Sequence, residues 1–280
     1  NLANEKKIVT EELRLRGEND PMSRLIVPLL SGVFGDHPYG HTPAGTKEQI
    51  NGADLDLTRK FYEGYYHPAN AHLVIVGPVH GETTLKQVET LFGGLEGERL
   101  LPPDIPSLVD WKFPDRVVLT EDLPPFKGAG LAYFTPPMSH PDYWALQLMG
   151  NMIATGRVDQ VQQSLVKERK KALAAGFFTE YLAQGGLTIL YSISLPTRRD
   201  GRALALLHET RDHLNELEWL TEESLATARR NLLRTELERA YFADRQANAI
   251  GTAHARQGNA AVGLNSSEPI EAVTLEQIQA

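Results

Sequence analysis

A helix that leads through a turn directly into an apolar strand is the feature near the start of the chain that most limits its fold. Four large side chains recur at helical spacing between residues 54 and 66: Leu57, Phe61, Tyr62 and Tyr65. Pro68 ends this pattern, and the apolar run Leu73–Val76 that follows has the length of a strand. We therefore predict a helix, a turn and a buried strand in this region.

Charge argues against a nucleic-acid-binding protein, and the length of the apolar runs argues against a membrane-spanning one. The chain has 280 residues, 41% of them hydrophobic, which is typical of a globular protein with two domains. The formal net charge is −8 and there is no long basic block, so we do not expect a nucleic-acid-binding protein. No apolar run approaches the roughly 18 residues of a membrane span. The chain opens on Asn1 without a methionine or a signal peptide, so we expect its natural beginning to lie upstream.

The chain contains no cysteine, which rules out disulfides, thiol catalysis and cysteine-ligated metal. This composition fits a protein of the bacterial periplasm or cell envelope that avoids thiol chemistry, and equally a cytoplasmic one. The sequence leaves the compartment open, with the envelope as the preferred alternative.

Helix and strand patterns alternate irregularly along the chain. Before a proline-rich stretch at residues 101–114, which we interpret as a linker, we predict helices at Glu5–Arg16 and Thr83–Phe92. After it we predict four strands: Arg116–Leu119, Gly130–Phe134, Ala175–Leu182 and Leu187–Leu195. The helices predicted there are Tyr143–Ala154, Val158–Lys170, Gly201–Leu217 and one that starts after Thr221 and extends as far as Gly251. This mixture predicts an α+β fold.

Two motifs resemble a known family. His37-Pro38-Tyr39-Gly40, with Gly45 downstream, and the Tyr-x-x-Pro-x-Asn-Ala stretch at residues 65–71 are similar to the first domain of the pitrilysin/insulinase-like zinc peptidases, peptidase family M16. The resemblance implies two homologous α/β-sandwich domains (LuxS/MPP-like). Residues 1–103 would be the C-terminal part of the first domain, and residues 104–280 a second domain truncated at its end.

Glu5 and Glu12 are seven residues apart, so on a helix they lie within about 20° of one face. Spacing alone fits a solvated acidic edge. The resemblance implies more, because residues 5–13 are similar to the family segment that carries the third zinc ligand. It assigns Glu12 as that ligand and Glu5 as the carboxylate that supports it. Glu11 is the competing ligand, disfavoured because it lies about 100° round the helix.

The family holds zinc with a helical His-x-x-Glu-His, and this pentad is absent from the sequence. The pairs His37/His41 and His208/His213 do not replace it: Pro38 and Gly40 disfavour a helix at the first pair, and the second is five residues apart. We interpret His37 and its neighbours as structural. The two histidine ligands and the general base are therefore expected upstream of Asn1, and the chain alone is expected to be inactive and to bind no zinc tightly.

Two further segments bear on substrate binding. Val166 and Leu173 stand where the resemblance places an arginine and a tyrosine that hold the substrate carbonyl, a pair that belongs to the other half of such proteins. Gly185-Gly186 resembles a glycine-flanked strand that grips a peptide end by backbone pairing, although a plain β-turn explains it equally.

The resemblance implies part of a zinc-dependent endopeptidase that cleaves unfolded or small polypeptides in a closed chamber. Its partners would be a peptide substrate and a second homologous half or subunit, with no nucleic acid and no membrane span. The alternative is a non-catalytic peptide-binding partner subunit of such a peptidase.

Overall fold

The computed structural model describes residues 2–15, 21–98, 105–108, 110–114, 127–154, 166, 172–194, 202–264 and 266–279. The chain forms two compact units. The first comprises Asn1–His72 and His80–Leu123, and the second comprises Leu73–Val79 and Pro124–Ala280.

The first unit is helical in its described part. Its helices are α1 Leu2–Leu13, α2 Pro21–Phe34, α3 Lys47–Gly52, α4 Leu55–Tyr65 and α5 Gly81–Phe92. Short 3-10 turns at Pro38–Gly40 and Pro68–Asn70 follow α2 and α4. Helix α1 contacts α3, and Lys6 Nζ donates to the carbonyl of Asn51 at 2.7 Å.

The predicted helices α4 and α5 are confirmed, and a side-chain cap marks the start of α4. The Asp54 carboxylate accepts from the Leu57 N–H at 2.7 Å, which satisfies one of the free donors at the start of α4. Helix α5 ends at Gly93, whose N–H donates to Glu89 O. Helix α2 was not predicted, and its interior Pro28 is a residue that normally argues against a helix.

The core of the first unit lies around the end of α2. Phe34 and His37 are fully buried, and the rings of Tyr39, Trp111 and Phe113 contact them at centroid distances of 4.7–5.9 Å. The described residues of the predicted linker, 105–108 and 110–114, are thus docked on the first unit.

Among its described residues, the second unit forms a three-stranded antiparallel sheet. Its strands are β1 Lys127–Thr135, β2 Ala174–Tyr181 and β3 Gly186–Ser194, in the order β1-β3-β2. They confirm three predicted strands, and each observed end lies one to three residues from the predicted end. Strand β3 is central, so Gly186 pairs with Thr135 on one side and with Tyr181 on the other.

Helices complete the second unit, and the predicted α+β class is confirmed. They are α6 Tyr143–Ala154, α7 Arg202–Leu214, α8 Glu222–Tyr241, α9 Ala243–Gln257, α10 Ser267–Ala272 and α11 Leu275–Gln279. One core cluster joins α6 and α7 to the sheet through Ile153, Ala175, Leu190 and Leu207. A second joins α6, α8 and α10 through Leu148, Met152, Leu225 and Ile270.

Three predicted elements differ from the structure. The helix after Thr221 does not continue to Gly251, because Phe242 adopts an extended conformation (φ −98°, ψ 122°) that separates α8 from α9. The helix predicted to Leu217 ends at Leu214, and Leu217 has a positive φ of 59°. Helix α1 lies about three residues upstream of its predicted range.

The predicted buried strand at Leu73–Val76 is wrong. Within the described residues this segment pairs with no strand, and Leu73 and Ile75 are 60% and 45% exposed. A strand is stabilised by ladder hydrogen bonds to a neighbour, and none of the described strands provides them. The predicted strand Arg116–Leu119 and, apart from Val166, the predicted helix Val158–Lys170 lie outside the described residues.

Candidate functional site

The predicted metal-ligand carboxylates lie on α1. Glu5 and Glu12 are both exposed and are two helical turns apart. Glu11 is also exposed, but Arg14 Nε donates to its Oε2 at 3.0 Å, and this hydrogen bond lowers the pKa of the Glu11 carboxyl. Glu11, the competing ligand, is thus hydrogen-bonded to Arg14. The assignment of Glu12 as ligand and Glu5 as its support stays a prediction.

The described residues do not form a zinc site by themselves. Among them, no three His, Asp or Glu side chains converge as a metal site would require. A catalytic zinc takes three protein ligands and a water, and α1 offers carboxylates from one helix only. The chain therefore fits this cofactor only in combination with ligands from other residues.

His37 is structural, as predicted. Its Nε2 donates to the carbonyl of Pro106 at 3.0 Å, because a carbonyl can only accept. Nδ1 is therefore the unprotonated nitrogen, and it accepts from the Tyr39 N–H at 3.1 Å. Both nitrogens of this buried ring are occupied, so neither is available to a metal. The sequence showed the motif but gave no sign of its partner Pro106.

The structure gives Gly185 and Gly186 a packing role. A Cβ on Gly185 would lie 2.6 Å from the Phe134 ring, and one on Gly186 would lie 1.8 Å from the carbonyl of Glu180. Gly185 also has a φ of +141°, which other residues rarely adopt. Strand β3 is paired on both sides, so a peptide that joins this sheet by backbone pairing would have to use β1 or β2. Peptide gripping at these glycines stays a prediction.

Val166 and Leu173 have different environments. Val166 is partly buried against the core cluster under the sheet, while Leu173 is 49% exposed. Neither side chain can donate a hydrogen bond to a substrate carbonyl.

Helix α4 presents an exposed aromatic cluster, consisting of Phe61, Tyr62, Tyr65 and Tyr66. All four are more than 40% exposed. The rings of Tyr62 and Tyr66 stack at 5.3 Å, and those of Phe61 and Tyr65 lie 4.7 Å apart. On α5, Leu85, Leu91 and Phe92 are also exposed. Contiguous exposed rings such as those of α4 are typical of interaction surfaces.

Taken together, the described residues form an α+β fold that exposes Glu5, Glu11 and Glu12 on one helix and contains no complete metal site. Comparison with known proteins identifies the class. Residues 53–232 match the family described as peptidase M16 inactive domain, and the chain belongs to this family.

Curated relatives are zinc proteases. The chain is 27% identical over 173 residues to the zinc protease PqqE of Helicobacter pylori, an alignment that covers 61% of this chain and 39% of that protein. It is 38% identical over 84 residues to YmfH of Bacillus subtilis, described as an uncharacterised zinc protease, covering 30% of this chain and 19% of that protein. The chain thus spans less than half the length of these relatives.

Solved structures share the fold. A protease from Helicobacter pylori superposes with a TM-score of 0.81 at 21% identity, over 99% of this chain and 67% of that one. A peptidase M16 inactive domain from Pseudomonas fluorescens gives a TM-score of 0.79 at 16% identity, over 99% and 65%. Within the described part of the chain, no helix combines the length and the apolar character that a membrane crossing requires.

Proposed function

We propose that residues 1–280 are part of a zinc-dependent endopeptidase that hydrolyses unfolded or small polypeptides in a closed chamber. The observation that carries this proposal is the family match over residues 53–232, preceded by a helix with Glu5 and Glu12 exposed two turns apart. The zinc proteases among the relatives support it. We propose the bacterial periplasm or cell envelope as the compartment of the parent protein.

In this proposal Glu12 is one ligand of the zinc ion, and Glu5 orients the ligand set. The two histidines and the general base come from parts of the parent protein outside residues 1–280. Bound zinc supplies Lewis acidity and lowers the pKa of a water ligand. The contribution of this chain is a carboxylate held on a helix that α3 supports, together with one part of the substrate chamber.

We further propose that a longer parent covers the exposed aromatic cluster of α4 and the apolar residues of α5. Two observations support this. The chain spans 39% of its relative PqqE, and exposed apolar side chains are concentrated on these two helices. Covering them would bury apolar surface worth about 25 cal/mol per Å².

The alternative is a non-catalytic partner subunit that binds peptide for a peptidase. The match to a family described as an inactive domain favours this alternative. The parent sequence ahead of Asn1 separates the two functions. A His-x-x-Glu-His there supports the peptidase, and its absence supports the partner subunit.

Substitutions on α1 of the longer parent test the peptidase. Glu12→Gln should abolish zinc retention and peptide hydrolysis because it removes a ligand, whereas Glu5→Gln should weaken both by roughly 10- to 100-fold. Glu11→Gln is the matched control and should change little, since Arg14 already engages that carboxylate. Zinc content by plasma mass spectrometry and peptide turnover are the measurements.

The 280-residue polypeptide alone provides a second control. It should retain no stoichiometric zinc, because one carboxylate leaves the ion largely hydrated. If Glu11→Gln strips the metal from the parent and Glu12→Gln does not, the assignment of Glu12 is wrong.

A further inference from the structure

A cleft of about 480 Å³ opens within the second unit, between the start of α6, the end of α8, helix α9 and the turn at Ala260–Gly263. This volume lies in the range of small-ligand sites. None of the residues assigned to zinc or to the substrate carbonyl lines it. The cleft therefore needs an explanation of its own.

The cleft is positively charged although the chain as a whole carries −8. Arg245 lines it and stacks on the Phe242 ring at 4.7 Å, and no described carboxylate pairs with it. Arg256, beside the cleft, donates to the Tyr181 carbonyl at 3.0 Å and contacts the sulfur of Met138, again without a described carboxylate partner. One carboxylate, Glu238, also lines the cleft, and it lies 3.7 Å from Arg234 Nε. Arg239, a further lining residue, pairs with Glu236.

Two neutral side chains of the lining, Asn248 and Tyr143, offer hydrogen-bond donors. Asn248 Oδ1 accepts from Thr252 Oγ1 at 3.0 Å, so the Asn248 amide hydrogens are left without an acceptor among the described residues. Tyr143 accepts from Gln147 Nε2 at 3.0 Å, and burial raises the pKa of its hydroxyl, which keeps its proton as a donor. A donor-rich, positively charged lining favours a ligand with carboxylate oxygens.

The cleft also has an aromatic wall. The rings of Tyr143 and Trp144 lie 4.9 Å apart in a T-shaped contact, and both residues line the cleft. Apolar aromatic surface beside fixed donors is typical of sites that orient a ligand by its polar end and bind its apolar body by burial.

We propose that this cleft binds the C-terminal end of a peptide, with the terminal carboxylate at Arg245 and Asn248 and an apolar or aromatic side chain against Tyr143 and Trp144. A terminal carboxylate matches the Arg245 guanidinium, which pairs with no carboxylate of the described residues, and the volume accommodates about two residues. The proposal requires neither zinc nor Glu12, so it stands independently of the proposed peptidase function.

Calorimetry on the purified 280-residue protein tests the proposal, with N-acetyl-Ala-Phe as the probe. The free acid should bind with one-to-one stoichiometry, and its C-terminal amide at least about tenfold more weakly, since the charge-assisted hydrogen bonds are lost. Arg245→Gln should weaken the free acid at least about fivefold. The matched control is Arg230→Gln on α8, whose guanidinium donates to Thr227 outside the cleft, and it should leave binding unchanged.

Three outcomes would overturn the proposal: no saturable binding of the free acid, equal binding of acid and amide, or equal losses for Arg245→Gln and Arg230→Gln. A second probe, 3-phenylpropionate, keeps the carboxylate and the ring but has no peptide group. Its binding as tightly as the dipeptide would overturn the assignment to a peptide end. Circular dichroism of each variant shows that loss of binding is not loss of folding.

Discussion

His37 connects two segments that are far apart in sequence. Its ring accepts the Tyr39 N–H and donates to the carbonyl of Pro106, 69 residues along the chain. Trp111 packs edge-on against it at 5.0 Å. The ring is fully buried. If the imidazole were removed, the Tyr39 N–H and the Pro106 carbonyl would lose their hydrogen-bond partner without gaining water.

His37→Ala should therefore lower the free energy of unfolding by about 2–4 kcal/mol, through two lost hydrogen bonds and a cavity among aromatic rings. Urea unfolding followed by circular dichroism measures this change. His41→Ala is the control. His41 is exposed four residues away, and its replacement should cost less than about 0.5 kcal/mol. Equal effects of the two substitutions would show that His37 does not hold residues 105–114 in place.

At the scale of elements, the sequence predicts those helices and strands whose ends are set by residues adjacent in the chain. Helices α4 and α5 carry their start and stop signals, Asp54 and Gly93, beside them in the chain. The alternation of Ile189, Tyr191, Ile193 and Leu195 with smaller or polar residues predicts β3. Two predictions are wrong for the same reason: neither the strand at Leu73–Val76 nor the continuous helix across Phe242 is decided by residues adjacent in the chain. The pairing of Leu73–Val76 requires a neighbouring strand, and the break at Phe242 interrupts a run of good helix formers without proline or glycine.

In the candidate site too, features set by local spacing could be predicted, whereas contacts between distant segments could not. The pairing of Glu5 with Glu12 on one helix follows from their spacing and could be predicted. The hydrogen bond from His37 to Pro106 joins distant segments, and the cleft combines residues of three helices and two connections. Contacts of this kind depend on tertiary packing, which periodicity and spacing do not encode.

The exposed aromatic cluster of α4 gives a prediction for this element. In the 280-residue polypeptide, Tyr62→Ser should change the free energy of unfolding by less than about 0.5 kcal/mol, because Tyr62 is 61% exposed. In a longer parent that covers α4, the same substitution should cost about 3 kcal/mol, as for a large buried aromatic side chain. Urea unfolding of both proteins measures the difference.

Tyr241→Ser is the control for this comparison. Tyr241 is 83% exposed at the end of α8, outside the cluster, and its replacement should have the same small effect in both proteins. A Tyr62→Ser effect equally small in the two proteins would mean that the parent leaves the face of α4 uncovered.

At the scale of the whole molecule, the chain belongs to the peptidase M16 inactive-domain family, and its described residues hold no complete metal site. The proposed zinc carboxylate lies on α1 of the first unit. In the second unit, Val166 and Leu173 stand where the family resemblance places an arginine and a tyrosine that would stabilise a developing oxyanion. Val166 is packed into the core, so its position serves the stability of the second unit. In the proposed peptidase, the missing donors must come from a second homologous half or subunit.

Activity of the proposed peptidase should therefore depend on that second half. Residues 1–280 extended by the upstream zinc-binding segment should bind zinc yet cleave peptides slowly, and adding the second half should raise turnover by roughly 10²- to 10³-fold, the usual effect of an oxyanion donor. Zinc content should stay unchanged, which separates this effect from metal loss. Turnover is followed with a fluorogenic peptide, and light scattering establishes the oligomeric state. Full turnover by a zinc-loaded monomer of the first half would contradict a chamber built from two halves.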